Sequence, residues 1–485
     1  MDTTIENMIN SIDLSAPVPE YEPMRQYYYL KACRKIVKEK SEALNRPLTA
    51  VVSTFGCQMN ARDSEKLLGI LKDIGYQESD DEENADFVIY NTCTVRENAN
   101  LRVYGRLGQL KKVKRANGEM IIAMCGCMMQ EPEVVEKIKT SYKFVDIVFG
   151  TFNIFKLAEL MYMCFTGDEQ VIDIWDSTKE VVEELPTSRK YPFKSGVNIM
   201  FGCNNFCTYC IIPYARGGVR SRSKEDVLRQ AQELVDRGFV EIVLTGIHTA
   251  GYGVDLDNYS FYDLLVDLTT KIKGLKRLRI SSIEMSQVSD EIIELIGRSP
   301  IIVDHLHIPI QSGTDSILRR MARHYNTAEF EKKYFELKEA LPGISITTDV
   351  IVGFPGETEE DFVDTYNWIK KLHFNQLHVF PYSRRKGTPA DRMPNQVPGD
   401  VKKDRVRRLL QLSDELKTEF ALSEMNKELE VLIEEEKDGY MVGHASNYLK
   451  VFVADHSLKE GHIYKVKVTD HRGYDLIGVV SSEEA

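Results

Sequence analysis

Short apolar segments alternate with longer amphipathic segments through much of the chain. Apolar runs such as LTAVVSTFG and ADFVIYNT are each followed by a stretch with helical periodicity, such as ARDSEKLLGILKDIG. Alternation of strand and helix at this spacing predicts a parallel sheet with helices on its faces. We therefore predict an open parallel-sheet domain over residues 47–165, preceded by an N-terminal extension over residues 1–46.

The alternation stops at residues 166–192, which we interpret as a linker, and then resumes. Six further apolar segments between residues 193 and 425 read as parallel strands separated by helices. Six strands are fewer than a closed eight-stranded barrel needs, so we predict a partial barrel of six βα units. Residues 426–485 contain only short strands separated by Gly, Asp and Asn turns, which predicts a small all-β barrel on an α/β body.

The composition and charge of the chain limit how it could contact nucleic acid or a membrane. The chain has 485 residues and a formal net charge of −12, so any contact with nucleic acid must use local basic patches. No apolar run is long enough to cross a bilayer, and the polar, acidic N-terminus is unlike a secretory signal. We expect a protein of the reducing cytoplasm with no membrane partner.

Three cysteines of the first domain share one position in the pattern. Cys57, Cys93 and Cys127 each fall at the carboxyl end of a predicted parallel strand. In open α/β sheets this edge is where ligands bind, so the three thiols are expected to converge. The alternative is three unrelated buried cysteines, since free cysteine often only fills the core. Cys125 lies two residues before Cys127 and is a weaker candidate for the same role.

A second set of three cysteines lies in FGCNNFCTYC, where Cys203, Cys207 and Cys210 follow the first strand of the predicted barrel. A zinc knuckle would need a fourth ligand, and a thioredoxin-like Cys-x-x-Cys would leave Cys203 without a role. Three thiolates on a four-iron cluster leave one iron open for a cofactor or substrate. The spacing therefore favours an iron–sulfur cluster.

The Cys-x-x-x-Cys-x-x-Cys run after the first strand of a six-fold barrel resembles the radical S-adenosylmethionine superfamily. With GCNNFCTYCIIPYARG and the upstream motifs GCQMN, NTCTVRENA and CGCMMQ, the chain resembles the methylthiotransferase family of that superfamily over nearly its whole length. The resemblance implies an enzyme with two [4Fe–4S] clusters and S-adenosylmethionine. Cys203, Cys207 and Cys210 would hold the cluster that binds and cleaves S-adenosylmethionine.

By the same resemblance, Cys57, Cys93 and Cys127 would hold a second cluster, which supplies or delivers sulfur. Residues 426–485, the tail of the chain, would form a TRAM-like barrel that binds tRNA. An electron donor and a sulfur donor, neither identified, are the further partners that the resemblance implies.

The motifs resemble two subfamilies with different substrates. The first 200 residues resemble the MiaB subfamily, which acts at adenine C-2 of N(6)-dimethylallyl-adenosine beside the anticodon. GIHTAGYG and LHVFPYSRRKGTPA resemble the MtaB subfamily, which acts on N(6)-threonylcarbamoyl-adenosine. The cysteine motifs favour the first substrate and leave the second as the alternative. Methylthiolation of a ribosomal protein and a non-catalytic iron–sulfur RNA-binding protein are less favoured.

Further residues of the barrel half follow from their positions near strand ends. The residues expected to bind the cofactor are Tyr209, Gly246, Gly353 and Gly356. The basic residues expected to contact tRNA phosphates, because they follow the second cysteine motif, are Arg216, Arg220 and Arg222. His305 and His307 share one face of a predicted strand, where we expect them to pack in the core.

Overall fold

The computed structural model describes residues 3–94 and 97–483, so residues 95 and 96 of the NTCTVRENA motif lie outside the described residues. The chain divides into two compact units. The first contains the chain up to Lys190 together with Ile211–Arg220, and the second contains Tyr191–Cys210 and the chain from Ser221 onward. In the parts of the chain that are described, no helix combines the length and apolar character needed to cross a membrane.

The first unit is built around a parallel sheet. Its strands are β1 (Thr49–Thr54), β2 (Gln77–Glu78), β3 (Phe87–Thr92), β4 (Ile121–Gly126), β5 (Ile147–Phe149) and β6 (Val171–Asp173). They pair in the order β2-β1-β3-β4-β5-β6, and every pair is parallel. Its helices are α1 (Thr3–Ser11), α2 (Met24–Leu44), α3 (Gln58–Asp73), α4 (Glu97–Ala116), α5 (Pro132–Ser141), α6 (Leu157–Thr166) and the short α7 (Ile212–Arg216).

Alternate residues of these strands serve two hydrophobic cores, one on each face of the sheet. Phe87 and Ile89 of β3 pack in the core that contains residues of α2, α3 and α6. Val88 and Tyr90 of the same strand pack in the core that contains residues of α4 and α5. All six residues of β3 are buried, which explains the apolar run FVIY at the start of the strand.

Two segments differ from the expectations for the first unit. Helix α2 lies within the predicted N-terminal extension, but its Tyr27 and Leu30 are fully buried in the core. The predicted linker at residues 166–192 contains strand β6 at the edge of the sheet and Leu185 in the same core. Both segments belong to the packed structure, because their apolar side chains complete one face of the sheet.

The second unit contains the predicted partial barrel. Its parallel strands are β7 (Lys194–Asn198), β10 (Glu241–Thr245), β11 (Arg277–Ile280), β12 (His305–His307), β13 (Ser345–Val352) and β14 (Gln376–Pro381). Two parallel bridges, Leu278–Ile302 and Ser282–His307, link the β7–β10–β11 sheet to the β12–β13–β14 sheet. The α/β class and the six-fold partial barrel are therefore confirmed.

Helices and two minor strands complete the barrel half of the chain. These elements are β8 (Met200–Phe201), β9 (Arg220–Ser221), α8 (Lys224–Asp236), α9 (Phe261–Lys271), α10 (Asp290–Arg298), α11 (Asp315–Arg320), α12 (Thr327–Ala340), α13 (Glu359–Leu372) and α14 (Gly399–Ser423). Helices α9, α12 and α13 each begin with a capping box, in which side chain and backbone at the N-terminus satisfy each other.

The tail forms the closed five-stranded barrel that its sequence predicts. Its strands are β15 (Glu428–Lys437), β16 (Tyr440–Ala445), β17 (Lys450–Val453), β18 (Ile463–Arg472) and β19 (Asp475–Glu483), in the order β15-β16-β17-β19-β18. The Gly, Asp and Asn residues that predicted turns lie between these strands. Because the barrel is closed, it has no free strand edge.

The tail barrel packs on the amino-terminal ends of the partial-barrel strands. Arg277, the first residue of β11, donates hydrogen bonds to the carbonyl oxygens of Glu430 (2.6 Å) and His444 (3.0 Å). The ring of Tyr448 stacks on His305, the first residue of β12, with ring centroids 4.7 Å apart. The tail therefore covers the end of the partial barrel opposite to the end that carries the cysteine loop.

We expect Arg277→Met to destabilise the second unit. Arg277 is buried, and the change removes two charge-assisted hydrogen bonds that join the tail to the barrel. The expected loss is about 3 kcal/mol, measured by urea unfolding. The control is Arg298→Met, because Arg298 is exposed and its ion pair with Glu294 spans 3.8 Å; that change should cost less than about 0.5 kcal/mol. Equal stability of the two variants would contradict the assigned role.

Candidate iron–sulfur sites

The three cysteines of the first unit follow three neighbouring strands. Cys57 is the N-cap of α3, just after β1, while Cys93 follows β3 and Cys127 follows β4. Strands β1, β3 and β4 lie side by side in the sheet, so their carboxyl ends meet at one edge. Cys57 is exposed, whereas Cys93 and Cys127 are buried.

Asn60 lies among the three thiols and ties their loops together. Its Oδ1 atom is 4.0 Å from Cys57 Sγ and 3.9 Å from Cys127 Sγ. Its Nδ2 atom donates to the carbonyl oxygens of Phe55 (2.8 Å) and Thr92 (2.9 Å). A Cβ atom on Gly56 would lie 2.8 Å from Cys93 Sγ, so only glycine fits there. The structure thus brings together the three cysteines that the sequence analysis predicts to converge. They lie around Asn60, which the sequence analysis did not identify.

The spacing of the sulfur atoms in the two cysteine sets differs from the spacing around a single zinc ion. In neither the 57/93/127 set nor the 203/207/210 set do the three described sulfur atoms all lie within 4.8 Å of one another. Thiolates about 2.3 Å from one tetrahedral zinc would be about 3.8 Å apart. In a four-iron cluster each thiolate binds a different iron, which separates the sulfur atoms further. Among the described residues, neither set therefore shows the close approach of three sulfur atoms that a single bound zinc would require.

Arg216 of α7 supplies a buried positive charge beside the first set. Its Nη2 atom donates to Asp63 Oδ2 (2.6 Å) and to Asn60 Oδ1 (2.8 Å). Burial raises the pKa of Cys127 to about 11, while the charge of Arg216 acts in the opposite direction. A bound metal stabilises the thiolate in the same sense as the arginine. This environment suits an anionic cluster, because a buried thiolate needs a positive neighbour.

The arginines expected to contact tRNA phosphates are engaged within the protein. Arg216 is buried in its ion pair with Asp63, and Arg222 is buried with its Nη1 atom on the carbonyl oxygen of Asn198 (2.9 Å). Both guanidinium groups lie in the interior, which corrects the surface role expected for them. Arg220 is half-buried and donates to the carbonyl oxygens of Thr178 and Arg216, both at 3.1 Å.

The second cysteine set lies on a loop that is anchored to the barrel through Thr208. The Thr208 amide donates to the carbonyl oxygen of Met321 (3.1 Å), and its hydroxyl donates to that of Arg320 (2.7 Å). Its own carbonyl accepts from the amide of Ala390 (2.9 Å). Because Thr208 stands between Cys207 and Cys210, these bonds hold the loop in place without using a cysteine.

A buried charged group borders Cys207, and sequence reasoning did not identify it. Arg323 Nη1 lies 3.5 Å from Cys207 Sγ, and the same guanidinium forms an ion pair with Glu284. Asn205 Nδ2 donates to Glu284 Oε2 (3.0 Å), and His248 Nε2 lies 3.5 Å from that oxygen. Burial raises the pKa of Glu284, but the effects of His248 and Arg323 outweigh it, and the pKa lies below its usual value.

The positions of His248 and Glu284 directly after barrel strands are the sequence feature that identifies this charged group. His248 follows β10 and Glu284 follows β11, as Cys203 follows the strands at the start of the barrel. In barrels of parallel strands, polar residues just after the strands collect at the carboxyl-end face, where active sites lie. Glu284 stands in the SSIE motif, so this rule identifies it from the sequence alone.

The residues predicted to bind the cofactor have partners within the chain. Tyr209 makes an edge-to-face contact with Phe354, with ring centroids 6.4 Å apart. A Cβ atom on Gly246 would lie 2.9 Å from the Met200 side chain. Gly353 and Gly356 both have positive φ, and a Cβ atom on either would overlap the side chain of Lys402 or Arg320 respectively. The two glycines thus have a structural reason to be glycine, and their cofactor role stays a prediction.

Comparisons with known proteins agree with this arrangement. Residues 197–369 match the Radical SAM superfamily, and residues 49–150 match the uncharacterized protein family UPF0004. The tRNA-2-methylthio-N(6)-dimethylallyladenosine synthase of Lachnoclostridium phytofermentans is 49% identical over 92% of this chain and 98% of its own length. The synthase of the same name from Acetivibrio thermocellus is 41% identical over 95% of this chain and 96% of its own length.

The chain belongs to the radical S-adenosylmethionine methylthiotransferase family. Among solved structures, this methylthiotransferase chain resembles the radical S-adenosylmethionine methyltransferase TsrM from Kitasatospora setae, with a TM-score of 0.51 and 13% identity. The match covers 71% of this chain and 75% of that chain. At this identity the likeness concerns the fold alone.

We expect the two cysteine sets of this methylthiotransferase to account separately for its iron. Changing Cys57, Cys93 and Cys127 to Ala should remove about four of about eight irons per chain, because three ligands of one cluster are lost. Cys164→Ala is the control, since Cys164 lies in α6 and should leave the iron content unchanged. Iron and sulfide analysis of the reconstituted protein measures the result. A full complement of iron in the triple variant would refute the first site.

Proposed function

We propose that this chain is a tRNA methylthiotransferase that forms 2-methylthio-N(6)-dimethylallyladenosine, beside the anticodon. The observation that carries the proposal is the pair of three-cysteine sites, one at the edge of an open parallel sheet and one at the mouth of a partial barrel. In such a reaction, one site would serve the cleavage of S-adenosylmethionine and the other would serve the insertion of sulfur. The cofactors are two [4Fe–4S] clusters and S-adenosylmethionine.

The substrate is the first of the two that the sequence motifs indicated. The synthases that match this chain over 92% and 95% of its length carry dimethylallyladenosine in their names, and those matches include the barrel half. The motifs that resemble the MtaB subfamily therefore do not decide the substrate. Dimethylallyl is apolar and uncharged, so its pocket needs no unpaired cation, whereas threonylcarbamoyl carries a carboxylate that would need one.

Cys203, Cys207 and Cys210 are assigned to the cluster that binds S-adenosylmethionine, and Cys57, Cys93 and Cys127 to the cluster that takes part in sulfur insertion. General acid–base catalysis is of little help in removing the adenine C-2 hydrogen. The cofactors, when bound, supply the radical chemistry that its removal requires. The protein holds the thiolates: Thr208 fixes the second loop, and Asn60 with Arg216 fixes the first. Cys93, Cys127 and Cys207 are buried, which limits the access of water to their sulfur atoms.

Glu284 and Arg323 are the residues that we assign to the amino-acid end of S-adenosylmethionine. A carboxylate and a guanidinium beside Cys207 complement the ammonium and carboxylate groups of that cofactor. Both side chains are 8% exposed, so water competes weakly for them. His248 and Asn205 contact the Glu284 carboxylate and hold it in place.

The remaining partners follow from the reaction. An electron donor and a sulfur donor are required, and we expect the reaction to take place in the cytoplasm, where tRNA is modified. Arg220 remains a candidate for phosphate contact because it is half-buried rather than enclosed. Arg384, which follows β14, is 60% exposed and offers a better placed cation at the carboxyl end of the barrel.

The proposed function is tested with tRNAs that carry dimethylallyladenosine or threonylcarbamoyladenosine. The reconstituted enzyme is incubated with either tRNA, S-adenosylmethionine, dithionite and sulfide, and the nucleosides are analysed by mass spectrometry. We expect the 2-methylthio product from the first tRNA. Cys207→Ala should abolish cleavage of S-adenosylmethionine, while the Cys57, Cys93 and Cys127 triple variant should retain cleavage and lose sulfur insertion. Preferred turnover of the threonylcarbamoyl tRNA would overturn the substrate assignment.

A separate prediction concerns Glu284. Glu284→Gln should raise the dissociation constant for S-adenosylmethionine roughly 30-fold, since a hydrogen bond to a charged group contributes about 2 kcal/mol. Iron content should be unchanged, because Glu284 binds no iron in this assignment. Equilibrium binding to the holoprotein provides the measurement, with Glu294→Gln, on the exposed face of α10, as the matched control. Unaltered affinity in Glu284→Gln would remove this residue from the cofactor site.

A further inference from the structure

We propose that His307, Asp349 and His378 form a binding site for a single divalent cation, of the zinc type, on the inner wall of the partial barrel. The site is separate from the six cysteines assigned above, and nothing in the proposed reaction uses it. Within the described residues, one nitrogen from each of the two rings and one oxygen from the carboxylate all lie within 4.8 Å of one another.

Strand register places the three residues on one face of the sheet. His307 of β12 pairs with Thr347 of β13, and Asp349 of β13 pairs with His378 of β14. Residues two apart on a strand share a face, so Thr347 and Asp349 lie on the same face of β13. Their paired neighbours, His307 and His378, therefore lie on that face as well. The intervening Thr348 and Val350 are fully buried on the opposite face, beneath the helices. The juxtaposition is therefore built into the backbone of three strands and does not depend on a loop.

The separations between ligand atoms match those around a small tetrahedral ion. Asp349 Oδ1 lies 3.3 Å from His307 Nε2 and 3.2 Å from His378 Nδ1. Nitrogen and oxygen ligands about 2.0 Å from a tetrahedral zinc lie about 3.3 Å from each other. Two of the three distances between ligand atoms are thus close to those around a bound zinc ion, and the third, between the two ring nitrogens, is within 4.8 Å.

Thr347 supplies the outer contact that a metal-binding histidine needs. Its hydroxyl lies 2.9 Å from His307 Nδ1 and 3.0 Å from His305 Nε2. A hydroxyl can accept a hydrogen bond from one ring while donating one to the other. If it accepts from His307 Nδ1, the Nε2 atom of that ring presents its lone pair toward Asp349 and His378. Ligating histidines almost always donate their second ring N–H in this way.

The charge and exposure of the group also suit a cation. Asp349 contributes the one carboxylate of the group and lies within 3.3 Å of a ring nitrogen of each histidine. The side chains of His307, Asp349 and His378 are 17%, 28% and 42% exposed, which leaves room for a water molecule or another ligand at the fourth position. Two histidines and one carboxylate with an open position form a common donor set for zinc.

The test is zinc retention by the holoenzyme. In protein that carries both iron–sulfur clusters, the six assigned cysteines are occupied and do not compete. After equilibration with Zn²⁺ and gel filtration, we expect about one zinc per chain, and X-ray absorption at the zinc edge should show nitrogen and oxygen ligands about 2.0 Å away, without sulfur. Competition with a fluorescent zinc chelator gives the affinity.

Three variants distinguish the site from adventitious binding. His378→Ala should weaken zinc binding at least about 100-fold, and Thr347→Val about tenfold, because it removes only the outer contact. His456→Ala, at an exposed histidine of the tail, should leave the affinity unchanged. Iron content confirms that each variant is folded and loaded. The absence of retained zinc, sulfur in the zinc coordination shell, or equal affinity in wild type and His378→Ala would each overturn the proposal.

None of these measurements requires methylthiolation. Failure of the zinc site therefore leaves the proposed function standing, and failure of the proposed function leaves the zinc site standing. A hydrogen-bonded His–Asp–His group without a metal is the alternative reading of the same contacts, and the retention experiment rejects one of the two.

Discussion

Parallel pairing of strands is the constraint on which every proposed site depends. Neighbouring parallel strands run about 4.8 Å apart and end at the same edge, so residues that follow them meet even when they are distant in sequence. Strands β1, β3 and β4 collect Cys57, Cys93 and Cys127 in this way. The same pairing in the barrel brings Glu284 toward the cysteine loop and, further down the strands, sets His307 beside Asp349 and His378.

Much of this arrangement follows from the hydrophobic pattern. The alternation of apolar and amphipathic segments predicts the sheet and the six barrel strands, and the position of the cysteines after strands predicts their convergence. The pattern does not reveal partners such as Arg216 and Asp63, which are 153 residues apart, since local periodicity carries no information about contacts between distant segments. The packing of helix α2 is not predictable from the pattern of residues 1–46, because its buried face is recognisable only once the sheet that it covers is known.

Buried cations accompany the thiols in both units. The chain is acidic overall, with a net charge of −12, yet Arg216 and Arg323 are buried beside Cys127 and Cys207 respectively. Each guanidinium is also paired with a carboxylate, Asp63 or Glu284. Such pairs add little net stability, but removal of one partner leaves a costly unpaired charge. Their value here is positional, because each fixes a positive charge where a thiolate is expected.

The segment Ile211–Arg220 has a consequence for how the protein is made. It belongs to the first unit, although it is encoded after the first strands of the second. While the chain emerges from the ribosome, the sheet of the first unit is complete after β6, but the carboxylate of Asp63 has no arginine partner until Arg216 has been synthesised. A fragment that ends at Lys190 would leave that charge unpaired. Genetic exchange at this junction would therefore separate the first unit from a part of itself.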